Sequence, residues 1–210
     1  MVRILIADDF PLFRRGVKEM LSEGLGEVRF GEAADASELQ EQVQKKEWDV
    51  VVMDITMPGT TGTEALKQVK QSSPALPVVV LSMHPEDQYA VRMFKAGADG
   101  YLNKASTPQE LVAAVKKVLE GGRHVSATVA ERLALTMRTR ETEHAHELLS
   151  DREYEVLRLI ASGKTVSEVA EELNLSVTTV STYRARILDK MQLKNNAELT
   201  RYALERHLVG

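Results

Sequence analysis

The chain has 210 residues, 43% of them hydrophobic and 5% aromatic, and it carries a formal net charge of −4. That length suits one large domain or two small ones. The absence of cysteine excludes disulfides, a thiol nucleophile and a zinc ribbon, and fits a reducing compartment.

The N-terminal MVRILIADDF has a short apolar run ended by two acids. A secretory signal needs a longer apolar core. No later segment approaches the ~20 apolar residues of a membrane span, so the expected location is the cytoplasm. Strand signals follow at Arg3–Ala7, Glu27–Ala33, Val50–Met53, Val78–Leu81 and Gly100–Leu102. Runs such as Val50-Val51-Val52 and Val78-Val79-Val80 lack polar alternation, as in strands of a parallel sheet covered on both faces. Helical patterns lie between them. From Pro11 to Gly24, Leu12, Phe13, Val17, Met20 and Leu21 fall on one stripe. Thr107-Pro108-Gln109-Glu110 reads as a capping box with proline in the first turn, opening a helix that Gly121-Gly122 ends. Five strands alternating with five helices predict a doubly wound α/β domain over residues 1–121.

Residues 122–147 are polar and charged, with a short helix expected near Thr128–Met137, and read as a linker. Residues 148–210 show only helical signals. Ser150-Asp151-Arg152-Glu153 and Thr165-Val166-Ser167-Glu168 are capping boxes, Ser176 caps a third helix, and a fourth runs from about Ala197 to His207. This predicts a four-helix, all-α second domain. The charge is uneven too. Residues 1–121 hold 14 basic and 18 acidic side chains, whereas residues 174–210 hold 6 basic and 3 acidic. DNA phosphates respond to the local face, within a Debye length of ~8–10 Å.

In open α/β sheets, ligands bind at the carboxyl ends of the strands. Asp8 and Asp9 follow the first predicted strand, Asp54 the third, Ser82 the fourth and Lys104 the fifth. Three crowded carboxylates call for a cation, and a small all-oxygen set suits Mg²⁺. A lysine and a hydroxyl beside them suit an anionic oxygen. The pattern fits a phosphoryl group carried on Asp54.

With those residues in place, residues 1–121 resemble the receiver domains of two-component response regulators, on Asp8-Asp9, Asp54 of VVMDITMPG, Ser82 of VVVLSMH and Lys104 of GADGYLNKAS. The resemblance implies that Asp54 is phosphorylated by a sensor histidine kinase. It implies that Asp9, Asp54 and the Thr56 carbonyl bind Mg²⁺, with Asp8 often acting through water. Tyr101 matches the family's switch aromatic, and Thr56 and His84 lie where the family tunes phosphate lifetime.

In the second domain, the Val166–Ala185 stretch reads as helix, Asn174-Leu175-Ser176 turn, helix, the geometry that sets a second helix in the major groove. Val180, Ile187 and Met191 share its inward face, while Thr178, Thr182 and Ala185 point away, flanked by Thr179, Ser181 and Arg186. Small hydroxyl side chains can approach base edges, and Arg184, Arg186, Lys190 and Lys194 can seek phosphates. Residues 148–210 resemble the LuxR/NarL-type DNA-binding domain through Leu149, Arg152-Glu153, Val156-Leu157, Ala161-Ser162-Gly163, Glu168-Val169-Ala170, Leu173, Thr179-Val180 and Lys190-Met191. The resemblance implies Ser181, Thr182 and Ala185 nearest the bases, Lys164 and Thr165 near the DNA backbone, and a dimer contact on the last helix. Ser181 and Tyr183 stand where many members carry lysine and histidine, which leaves the target preference open. The chain is therefore expected to be a non-enzymatic, phosphorylation-controlled regulator of double-stranded DNA, dimeric when phosphorylated or on DNA. The alternative is a phosphate-independent regulator that uses its first domain as a dimer scaffold.

Overall fold

A computed structural model describes residues 1–58, 60–84, 86–138, 145–206 and 208–209. The chain forms two compact units, Met1–Arg140 and Glu141–Gly210.

The first unit is a five-stranded parallel sheet in the order β2-β1-β3-β4-β5, from β1 (Val2–Ala7), β2 (Val28–Ala33), β3 (Val50–Asp54), β4 (Val78–Ser82) and β5 (Gly100–Asn103). Its helices are α1 (Pro11–Leu25), α2 (Ala36–Lys45), α3 (Gly62–Ser72), α4 (Glu86–Ala96) and α5 (Pro108–Leu119). β3 and β4 are buried along their whole length, because helices cover both sheet faces. On one face Ile4, Ile6, Val50, Val52, Val79 and Leu81 pack with Val17 and Leu21 of α1 and with Leu111, Val115 and Val118 of α5. Each fully buried side chain of this size stabilises the unit by about 1.5–3 kcal/mol of transfer free energy.

The start of α5 carries the predicted box: Thr107 Oγ1 accepts from Glu110 N–H, and the Glu110 carboxylate accepts from Thr107 N–H at 2.7 Å. Beyond α5, His124 N–H donates to Asp99 O and forms a parallel bridge with Gly100 on the β5 edge. The linker region then contains α6 (Ala127–Arg138), which packs against α4. Its Val129 is fully buried. Part of the stretch expected to be linker is thus an element of the first unit. The RTRETE run at 138–143 falls almost wholly outside the described residues.

The second unit begins with a 3₁₀ turn at Ala145–Leu148, followed by α7 (Asp151–Ala161), α8 (Val166–Glu172), α9 (Val177–Lys190) and α10 (Asn196–Glu205). Both predicted capping boxes are formed, at Ser150/Glu153 and Thr165/Glu168, and Ser176 Oγ caps α9 by accepting from Thr179 N–H at 3.0 Å. Asn174 takes a left-handed φ of 52° while Leu175 N–H returns to Ala170 O at 2.8 Å. This closure sharply ends α8 and sets up α9. Asn195 caps α10, which ends at Glu205, and His207 lies outside the described residues. Leu149, Val156, Leu157, Val169, Val180, Ile187 and Leu199 form the core of this unit.

Candidate functional site

The topology brings Asp8, Asp9 and Asp54 to neighbouring strand ends, because β1 and β3 are adjacent and paired in register from Ile4↔Val50 to Ala7↔Met53. One carboxylate oxygen from each lies within 4.8 Å of the others. Asp8 and Asp54 are 1% and 2% exposed. Lys104 enters from the end of β5, with its side chain 7% exposed and Nζ 2.7 Å from both Asp8 Oδ2 and Asp54 Oδ2. Toward Asp54 the contact is a hydrogen-bonded ion pair, and toward Asp8 it is an ion pair of the same length. Beneath the ammonium lies the ring of Phe13, 4.5 Å away at its centroid, placing a cation over an aromatic face.

The charges do not balance. Three carboxylates meet one ammonium, and Asp9 Oδ1 is a buried oxygen with no hydrogen-bond partner. Burial pushes the Asp8 carboxyl above the usual carboxylate range, against the opposing pull of Lys104 and the Phe10 N–H. Burial also works against the Lys104 ammonium, but its contacts with Asp54 and Asp8 outweigh this and raise it. Such a group of oxygen ligands with excess negative charge is a place where a metal ion fits.

Thr56 lies above Asp54. Its N–H donates to Asp54 Oδ1 at 3.1 Å and its hydroxyl approaches both carboxylate oxygens, at 2.9 and 3.0 Å. Ser82, fully buried at the end of β4, accepts the His84 N–H on Oγ at 3.0 Å. Tyr101 is turned inward and buried, and its hydroxyl donates to His84 O at 3.0 Å. The His84 ring stacks on Tyr89 of α4, with centroids 4.3 Å apart. Ser82, His84, Tyr101 and α4 are thereby linked through one loop. Asp8, Asp9, Asp54, Thr56 and Lys104 come together in this pocket, whereas Ser82 and Tyr101 meet at His84 in the loop after β4. The sequence shows Phe13 only as part of an apolar stripe, because nothing local says that Lys104 comes to rest on it.

In the second unit, Thr178, Ser181, Thr182, Ala185 and Arg186 lie exposed along α9, with Thr179 half-buried and Tyr183 partly packed. Thr182 Oγ1 donates to Thr178 O at 2.9 Å, a bond within the helix that leaves the small face smooth. The basic residues divide. Arg186 and Lys194 are exposed and form no ion pair among the described residues. Lys190 instead reaches Glu153 Oε2 of α7 at 2.6 Å, and Arg184 Nε reaches Asn196 Oδ1 of α10 at 2.5 Å. Lys164 pairs with Glu172 across α8, whose first turn Thr165 caps. Lys190 and Arg184, expected to seek phosphates, are thus held by partners within their own unit. These partners lie 37 and 12 residues away, beyond what helical spacing reveals.

A sheet with this pocket, followed by a helix-turn-helix unit, defines a two-domain regulator. Residues 4–116 match the response regulator receiver domain, and residues 147–203 match the bacterial regulatory proteins of the luxR family. The chain is 34% identical to the response regulator UvrY of Escherichia coli K12, covering all of this chain and 97% of that protein. It is 33% identical to the response regulator GacA of Pseudomonas aeruginosa PAO1, covering 100% of this chain and 98% of that one. A solved structure of RcsB from Salmonella enterica serovar Typhimurium, bound to promoter rprA with the phosphomimetic BeF3⁻, superposes with a TM-score of 0.57 at 27% identity, covering 96% and 98% of the two chains. RcsB has also been solved as two dimers on two parallel DNAs. The chain belongs to the two-component response regulators with a receiver domain and a luxR-family DNA-binding domain. No helix among the described residues is long and apolar enough to cross a membrane.

Proposed function

We propose that Asp54 accepts a phosphoryl group from the phosphohistidine of a sensor kinase, and that this step controls binding of α9 to double-stranded DNA. The observation that carries the reading is Lys104, buried against both Asp8 and Asp54 at 2.7 Å. A regulator that ignored phosphate and used its receiver as a dimer scaffold would need no buried lysine among three carboxylates. In the transfer, a carboxylate oxygen of Asp54 forms a bond to phosphorus as the phosphorus–nitrogen bond breaks, and the imidazole leaves with a proton. Thr56 N–H and Lys104 Nζ donate to the Asp54 carboxylate, which supports their holding the oxygens of the new phosphoryl group. Asp8, Asp9, Asp54 and the Thr56 carbonyl would hold Mg²⁺, which neutralises phosphoryl charge when bound. The protein acts on its own side chain and turns over no external substrate.

On the DNA side, the small exposed face of Thr178, Ser181, Thr182 and Ala185, with the half-buried Thr179 at its edge, reads base edges, while Arg186 and Lys194 contact phosphates. Lys164 and Thr165 approach the DNA backbone at the head of α8. Phosphorylation stabilises a homodimer that spans two half-sites, in the cytoplasm. The test of the chemistry is the mass of the intact protein after incubation with Mg²⁺ and acetyl phosphate. The expected result is a gain of one phosphoryl group in the wild type and none in Asp54→Ala; equal modification of both proteins would refute the assignment.

A further inference from the structure

Arg14 stands in the first turn of α1, outside the acidic trio, yet its guanidinium reaches the trio's backbone. Nη1 donates to the Asp8 carbonyl at 2.5 Å, and Nε donates to Glu32 Oε2 at 2.8 Å. The other Glu32 oxygen takes Lys18 Nζ at 2.6 Å. Glu32 sits on β2 directly beside Ile6 of β1, so the clamp joins α1, β2 and the end of β1. Contacts with Lys18 and Arg14 hold its carboxyl below the usual range. An ordinary surface pair between α1 and β2 would need only Lys18 and Glu32. Arg14 is different in kind, because its side chain is 12% exposed and its other fork is committed to a main-chain carbonyl.

That carbonyl belongs to the peptide joining Asp8 to Asp9. A peptide unit is rigid and planar, so fixing its oxygen fixes the direction in which Asp9 leaves. The same residue is held at two further points: Asp8 N–H donates to Ala33 O at 3.1 Å, and Asp8 Oδ1 accepts the Phe10 N–H at 2.8 Å. Asp9 Oδ1 is a buried oxygen without a hydrogen-bond partner. Its placement therefore depends on the turn that Arg14 holds.

We infer that Arg14, oriented by Glu32, is a positioning residue of the metal pocket: it sets the Asp8–Asp9 peptide and through it the affinity of the trio for a divalent cation. The inference rests on the reading of Asp8, Asp9 and Asp54 as a Mg²⁺ site. Partners that orient metal ligands typically contribute about 10–100-fold in affinity.

The experiment is calorimetric titration of the metal-free full-length protein with Mg²⁺, for wild type, Arg14→Ala, Arg14→Lys, Glu32→Gln and the control Lys18→Ala. Circular dichroism and thermal unfolding of each variant report the fold separately. Affinity is expected to fall about tenfold or more in Arg14→Ala. A smaller fall is expected in Arg14→Lys, which keeps the charge but cannot fork, and in Glu32→Gln, which keeps the shape of the side chain but loosens the guanidinium. Lys18→Ala, which leaves the Asp8 carbonyl untouched, is expected to bind within about twofold of wild type, inside the spread of single surface contacts. Arg14 variants that lose stability but bind Mg²⁺ like wild type would overturn the inference and leave the metal site standing. A wild type that binds no Mg²⁺ would overturn the metal site itself and this inference with it.

Discussion

Replacing Lys190 with methionine removes the ammonium that meets Glu153 Oε2 at 2.6 Å. The Glu153 side chain is 4% exposed and that of Lys190 is 40% exposed, so the pair lies between two regimes. Exposed pairs contribute about 0.2–1 kcal/mol. Breaking a buried pair by removing one partner costs about 3–5 kcal/mol. Ser150 N–H still donates to the orphaned carboxylate at 2.8 Å, and water can reach the Lys190 side. The loss is therefore set at about 2 kcal/mol, or roughly 30-fold in the folding equilibrium of the second unit. Burial works against the charged Glu153, but Lys190 and Ser150 outweigh it and hold the carboxyl below its usual range. A carboxylate depressed in the folded state stabilises the fold above its unfolded value of about 4.3, and that contribution is lost as pH falls through the lower folded value. Lys190→Met loses that depression, so the wild-type advantage of about 2 kcal/mol is expected in full at neutral pH and is expected to shrink as pH falls below about 4.3. The assay is urea unfolding of the full-length protein from neutral to acid pH, with DNA titration under folding conditions. Destabilisation with DNA affinity retained in the folded fraction is the expected outcome. Unchanged stability with weakened DNA binding would refute the argument and return Lys190 to the phosphate contacts.

Arg186→Ala is expected to weaken binding to all DNA sequences alike and to reduce the slope of log affinity against log salt by about 0.9, the value of one phosphate contact; fluorescence anisotropy across a salt series measures it. Gly62→Ala introduces a methyl group 2.5 Å from the Ile55 Cα, and backbone cannot yield as a side chain tip does. A loss of about 1–3 kcal/mol is expected, together with slower phosphorylation of Asp54, read by thermal unfolding and intact mass; an unperturbed variant would show that the α3 start gives way freely. Asp8→Asn removes a carboxylate that burial disfavours. The metal-free variant is expected to melt above wild type at neutral pH and to respond less to Mg²⁺, which differential scanning calorimetry with and without the ion would show.

What could be read from the chain was what is written locally. Val50–Val52 and Val78–Val80 announce strands covered on both sides, and the boxes at Thr107, Ser150 and Thr165 mark helix starts, because each depends on residues within a few positions. The acidic pocket was also legible, since consecutive strand ends must converge at one edge once the sheet is parallel. What stayed hidden depends on the order of strands and on packing. The bond from Arg14 to Glu32 requires β2 to lie beside β1. The bond from Lys190 to Glu153 requires α9 to cross α7. The docking of α6 on α4 turns part of a polar linker into an element of the first unit, and composition does not distinguish its buried Val129 from the residues around it.

The central claim is that phosphate on Asp54 governs DNA binding. Its most direct measurement is the affinity of the full-length protein for genomic DNA fragments, with and without Mg²⁺ and a small phosphoryl donor, for wild type and Asp54→Ala. Sequence-specific binding that tightens on phosphorylation in wild type and not in the variant is the expected result. Specific binding that ignores both the donor and the substitution would contradict it.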